Sequence, residues 1–136
     1  MILRDDAARQ RWRWPHFTPE EMACKHCGAL SVDTEFMDRL EDLRHEYGRP
    51  MVVSSGYRCP AYNETVSTTG PKGPHTTGCA VDISVRGRDA YDLLQLAVSH
   101  QHAFTGIGIN QKGAGRFLHL DSLQAPWHPR PALWTY

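Results

Sequence analysis

The sequence predicts a single α+β domain with a mostly antiparallel sheet flanked by helices, and three observations carry that prediction. Helix signals dominate the first half, one amphipathic stretch interrupts the later strand signals, and the last two strand signals are joined by a short glycine-rich loop. A chain of 136 residues suits one domain with a real hydrophobic core. There is no internal repeat and no low-complexity tract.

Residues 1–16 are polar and Arg-rich and read as an N-terminal arm, leaving the domain proper over residues 17–136. Thr18-Pro19-Glu20-Glu21 has the spacing of a capping box, with proline at the first helical position, and opens a short helix that stops before Cys24. Asp33 can cap the next helix; Phe36, Leu40 and Leu43 follow at spacings of four and three, and Gly48 with Pro50 ends it. Residues 51–55 read as a core strand. Gly56 turns that strand into Tyr57-Arg58-Cys59-Pro60, and Pro60 starts a short helix through Asn63 and Val66. Residues 67–77, rich in Gly, Pro and Thr, read as a surface loop that delivers His75. A strand over 80–85 follows, then a helix over 88–100 with Tyr91, Leu94, Leu96, Ala97 and Val98 on its pattern. Strands over 105–110 and 116–121 form a hairpin through Gly113, Ala114 and Gly115. Trp12 and Trp14 are expected to pack on the domain, and Trp127 and Trp134 to cover the core edge.

Hydrophobic residues make up 40% and charged residues 22%, ordinary for a soluble globular chain. Lys plus Arg equals Asp plus Glu at 15 each, so no global field draws the chain to nucleic acid or to an anionic polymer. Any partner must be held by local contacts. No stretch approaches the ~18 apolar residues of a membrane span, and residues 1–17 lack the apolar run of a signal peptide. The expectation is a monomer made in the cytosol without a signal peptide, with neither nucleic acid nor membrane as partner.

Four cysteines are too few for a disulfide scaffold in a chain this long. Cys24 and Cys27 form a C-x-x-C with His26 inside it and Gly28 after it, half of a zinc knuckle; Cys59 and Cys79 stand alone. Free thiols, a structural metal or disulfide near the N-terminus, and redox chemistry all remain open readings, and so does a contact between Cys59 and Cys79.

The strongest chemical signal is the set His75, Asp82 and His119. Two imidazoles and one carboxylate leave a divalent zinc one open position for water, as catalytic rather than structural sites do. Strand alternation supports the set. Val81, Ile83 and Val85 share one face, which leaves Asp82 on the other among small Ala80 and Ser84; Leu118 and Leu120 share one face, which leaves Phe117, His119 and Asp121 on the other. A zinc ion there would polarise a carbonyl and lower the pKa of water from ~15.7 toward ~7, the chemistry of a hydrolase.

Ser55-Gly56-Tyr57-Arg58, Asn63, His75-x6-Asp82 with Gly78 and Ala80 between, and Phe117-Leu118-His119-Leu120-Asp121 together resemble the zinc D-alanyl-D-alanine carboxypeptidase family. That family includes bacteriophage endolysins that cut the L-Ala-D-Glu bond of peptidoglycan, and it shares its fold with the amino-terminal signalling domain of hedgehog proteins. The resemblance runs from about Phe17 to Tyr136, and residues 130–136 look like the end of small phage-encoded members. It implies that His75, Asp82 and His119 bind Zn2+, that Arg58 lies beside it, and that the substrate is a peptidoglycan stem peptide met at the cell wall after release or from a virion. Two departures stand out. Relatives commonly carry a serine where this chain has Gly73, and many place Glu or Asp where it has Arg116, three residues before the last histidine. Arg116 cannot take a proton from water, so Asp121, on the His119 face of its strand, is the replacement candidate. Arg58 is the candidate partner of the developing oxyanion or the substrate carboxylate. Two rival readings use the same fold: a zinc-binding module without catalysis, and a virion or tail structural component in which the fold serves assembly and any peptidase activity is incidental.

Overall fold

A computed structural model describes residues 1–100 and 102–136. Its elements in chain order are β1 (Ile2–Arg4), α1 (Asp5–Gln10), α2 (Pro19–Met22), β2 (Ser31–Asp33), α3 (Thr34–Tyr47), β3 (Val52–Ser55), α4 (Pro60–Val66), 3-10 turns at Gly70–Lys72 and Pro74–Thr76, β4 (Ala80–Ser84), α5 (Gly87–Ser99), β5 (Gly106–Asn110), β6 (Phe117–Asp121) and β7 (Ala132–Thr135).

The caps that the sequence spells out are formed. Thr18 accepts from the Glu21 N–H while the Glu21 carboxylate accepts from the Thr18 N–H, a reciprocal box that satisfies two otherwise orphaned donors of α2. Asp33 caps α3 through the Phe36 N–H at 3.0 Å, and Gly48, at φ +67°, ends it in a left-handed turn that costs glycine little. Between these caps α3 buries Phe36, Met37, Leu40 and Leu43, the stripe expected from their spacing.

The main sheet has the strand order β3-β4-β6-β5-β7, antiparallel at every pairing except β5 with β7, which run parallel. Its α+β, mostly antiparallel architecture is the one the element pattern predicts. Val81, Ile83, Leu118 and Leu120 point from the central strands β4 and β6 into one core shared with α3 and with Leu93 and Ala97 of α5. The alternate residues Asp82, His119 and Asp121 therefore face the other way, and buried apolar packing on one side fixes where they point.

Several expectations change. Residues 1–16 are more than an arm: β1 pairs with β2 to place Leu3 opposite Val32, and Leu3, Ala8 and Trp14 are buried in the common core. A three-residue strand carries too little alternation to be seen without its distant partner. Strand β7 was likewise unforeseen. Helix α5 turns Ala90, Leu93 and Ala97 inward, whereas Tyr91 and Val98 are 64% and 60% exposed. Trp127, expected over the core edge, is 83% exposed. Residues 67–77 hold two 3-10 turns tied down by the Asn63 amide, which donates to Thr69 Oγ1 and the Gly70 carbonyl.

Candidate active site

Asp82 of β4 and His119 of β6 stand directly opposite one another in the antiparallel register, so cross-strand pairing alone brings a carboxylate and an imidazole together. His75 reaches them from the second 3-10 turn. Its Nε2 lies 3.2 Å from Asp82 Oδ1, and His119 Nδ1 lies 2.9 Å from the same oxygen. All three side chains are buried.

The outward nitrogens fix the protonation of the inward ones. His75 Nδ1 donates to the Gly56 carbonyl at 2.7 Å, and a carbonyl can only accept. His119 Nε2 donates to Asp121 Oδ2 at 2.8 Å. Around a bound cation the two rings are neutral and turn lone pairs from His75 Nε2 and His119 Nδ1 inward beside Asp82; without one, protons on those nitrogens bond Asp82 instead and, against the penalty of burial, hold its carboxyl well below the usual range. Three acceptors converging in a buried space repel unless a cation, or protons, sit among them. The ligand atoms lie within 4.8 Å of one another. Tetrahedral zinc with bonds of about 2.0–2.1 Å separates its ligands by about 3.3 Å, close to the 3.2 and 2.9 Å found here. The donor set therefore fits a divalent metal.

Asp121 is 0% exposed, and its partners occupy both oxygens. Arg130 Nε donates to Oδ1 at 2.9 Å and its NH2 to Oδ2 at 2.8 Å, while the Leu123 N–H also reaches Oδ1 at 3.3 Å. Burial raises the Asp121 pKa, but hydrogen bonds from His119 and Arg130 pull it down to about 2. Burial likewise disfavours an imidazolium at His119, yet Asp121 and Asp82 raise its pKa. Gly106, opposite Asp121 in β5, makes this pair fit: an added Cβ would lie 2.3 Å from Asp121 Oδ1 and 2.5 Å from Arg130 Nε.

Arg58 stands beside the triad. Its NH2 is 3.4 Å from Asp82 Oδ2, its Nε donates to Ser55 Oγ at 2.9 Å, and its NH1 donates to Asn63 Oδ1 at 3.1 Å. A bulge in β3 between Val53 and Ser55 aligns Ser55 with Asp82 and so supports this arrangement. Both departures in the motifs also have places. An added Cβ at Gly73 would lie 2.0 Å from Thr69 Oγ1, so the turn has no room for a serine. Arg116 bends back to donate to the Gly113 carbonyl at the hairpin end of β6.

A family model described as Peptidase M15 matches residues 15–121, which include all of these motifs. The chain belongs to the peptidase M15 family. No curated protein and no solved structure matches it. It is thus a metallopeptidase, as the motif resemblance implied.

Three residues of this M15 chain lie beyond the matched span and beside the site, a place the sequence did not give them: Arg130, Tyr136 and Trp134, the last expected only to cover the core edge. Trp134 packs 5.2 Å from the His119 ring and lies under the Arg130 guanidinium. Beside them, Gly108 stands opposite His119, and a Cβ there would be 2.6 Å from Trp134 Nε1 and 2.9 Å from Tyr136 Oη. No local pattern announces these residues, because the parallel pairing of β7 with β5 is what brings them to the site.

Proposed function

We propose that this chain is a zinc-dependent peptidase that hydrolyses peptidoglycan stem peptides, as a D-Ala-D-Ala carboxypeptidase or an L-Ala-D-Glu endopeptidase, and that it serves phage-encoded lysis of the cell wall. The observation that carries the reading is the convergence of His75 Nε2, Asp82 and His119 Nδ1, each outer ring nitrogen already bonded to an acceptor. Such outer partners orient metal-bound imidazoles and raise their basicity.

Zinc held by His75, Asp82 and His119 would supply a Lewis acid for the scissile carbonyl and a lowered pKa for water. The remaining roles belong to the chain. With neutral histidines, Arg58 and Arg130 balance Asp82 and Asp121, so a divalent ion leaves the site positive and suited to a peptide bearing carboxylates. Arg58, held by Ser55 and Asn63, presents a fixed charge to the developing oxyanion or the substrate carboxylate. Tyr136 keeps its proton at neutral pH, since burial pushes its pKa up and Asp82 adds to the shift. The protonated hydroxyl, close to Gly108 opposite His119, would serve as a donor to the oxyanion. Asp121, assigned from the sequence as the proton acceptor, has both oxygens committed, and we propose that it orients His119 instead.

One observation favours the non-catalytic zinc module: Asp121 is engaged and Arg116 points away, so among the described residues no carboxylate besides Asp82 and Asp121 bonds to the triad. Incubating zinc-loaded protein with purified muropeptides and weighing the products by mass spectrometry decides between the two. Loss of one D-Ala, or a cut after L-Ala, abolished by chelator and by His119→Ala, supports the peptidase. Intact muropeptides at full zinc loading leave the binding module.

A further inference from the structure

Three cysteines that the hydrolytic site does not use meet on the far side of residues 56–59. The run Cys24-Lys25-His26-Cys27-Gly28 closes on itself: the Gly28 N–H donates to the Cys24 carbonyl at 2.8 Å, and the Cys24 N–H donates to the Ala29 carbonyl at 2.8 Å. Gly28 takes φ +76°, a left-handed conformation that lets the chain double back and set both thiols on one side. Cys59 then arrives from the end of the Ser-Gly-Tyr-Arg motif, its N–H donating to Cys24 Sγ at 3.4 Å. The three sulfurs lie within 4.8 Å of one another, yet each is a free thiol.

Converging sulfurs with amide donors aimed at one of them are the ingredients of a thiolate–metal site. Burial works against a charge on Cys24, but the backbone N–H groups of Cys59, Cys27 and His26 bring its pKa down to about 7. Neighbouring thiolates repel one another unless a cation lies between them. We propose that Cys24, Cys27 and Cys59 bind a second divalent, thiophilic ion of the zinc class, on the side of the chain where Cys27 and His26 are exposed.

The position explains the purpose. Residues 56–59 form a strap between the two sites: the Gly56 carbonyl holds His75, the Tyr57 N–H bonds the Met22 carbonyl, the Arg58 N–H bonds the His75 carbonyl, and the Cys59 N–H bonds Cys24. An ion at the thiols ties α2 and its following loop to the strap and so fixes Arg58 and Gly56 against the triad. Cys79 lies outside this cluster, and burial pushes its thiol up to about 11, so it is inert.

The test is elemental analysis of protein purified under reducing conditions, joined to cobalt(II) substitution. Wild type is expected to hold two equivalents, and Cys27→Ser and His119→Ala one each. Cobalt-loaded His119→Ala should show a sulfur-to-cobalt charge-transfer band that Cys27→Ser lacks. Where Cys27→Ser does not fold, alkylation of wild type serves: Cys27 and Cys59 should resist the reagent until chelator is added. A single equivalent that vanishes with His119→Ala, the absence of a sulfur-to-cobalt band, or alkylation indifferent to chelator overturns the proposal. The cobalt band in His119→Ala does not depend on peptidase activity, so this site and the hydrolytic one stand or fall separately.

Discussion

Asp121 shows how a single residue can carry the right address and a different task. Strand alternation placed it on the His119 face from sequence alone, but only the partner nine residues on, Arg130, reveals that its charge is already used. Removing one member of a buried pair costs about 3–5 kcal/mol, because the other is left uncompensated. Arg130→Leu is therefore expected to lower unfolding free energy by about that amount, and Asp121→Asn added to it should restore part; simple additivity of the two losses in denaturant titrations would deny the coupling. The pH dependence has a definite sign. Asp121 has a folded pKa of about 2 against ~3.9 for an unperturbed aspartate. Its contribution to stability is thus complete above about pH 4 and is lost as the pH falls toward 2. Metal-free Asp121→Asn should show a flatter acid limb in this window. For turnover, Tyr136→Phe should keep its metal while kcat/KM falls about 10²-fold, the usual loss for one oxyanion donor; an unchanged value would give Tyr136 a packing role only.

Elements were legible where their signals are local. The capping box of α2, the Asp33 cap and Gly48 end of α3, and the β5–β6 hairpin all lie in runs of a few residues, and all formed as read. Asp33→Ala should cost about 1 kcal/mol of stability, the usual value of an N-cap. Elements made by distant pairing were not legible. Strand β1 exists through β2, and β7 through β5, across gaps that no window of residues spans. The site divides in the same way: His75, Asp82 and His119 announce themselves by motif, whereas Arg130, Trp134, Tyr136 and the meeting of Cys59 with Cys24 depend on tertiary contacts. Gly106 is a silent example, since its need for no side chain appears only beside Asp121. Gly106→Ala should impair folding or metal retention, while the same change at Gly115, which has open space around it, should be neutral by thermal denaturation.

At the scale of the molecule, the first sixteen residues contribute Leu3, Ala8 and Trp14 to the core. Trp14 is buried, donates its indole N–H to Asp38 at 2.7 Å, and packs edge-on to Trp12. Trp14→Ala is expected to cost about 3–5 kcal/mol, the range for deleting a buried aromatic, as read from denaturant midpoints. The order of strands in the main sheet has a consequence for motion. Strands β4 and β6, which carry Asp82 and His119, are each hydrogen-bonded on both flanks, whereas β3 and β7 form the borders. Opening the middle requires an outer ribbon to peel first, so deuterium should replace the amide protons of Val81 and Leu120 last and those of β7 among the earliest. The chemistry is thus mounted where the protein breathes least, and its aromatic cover where it breathes most.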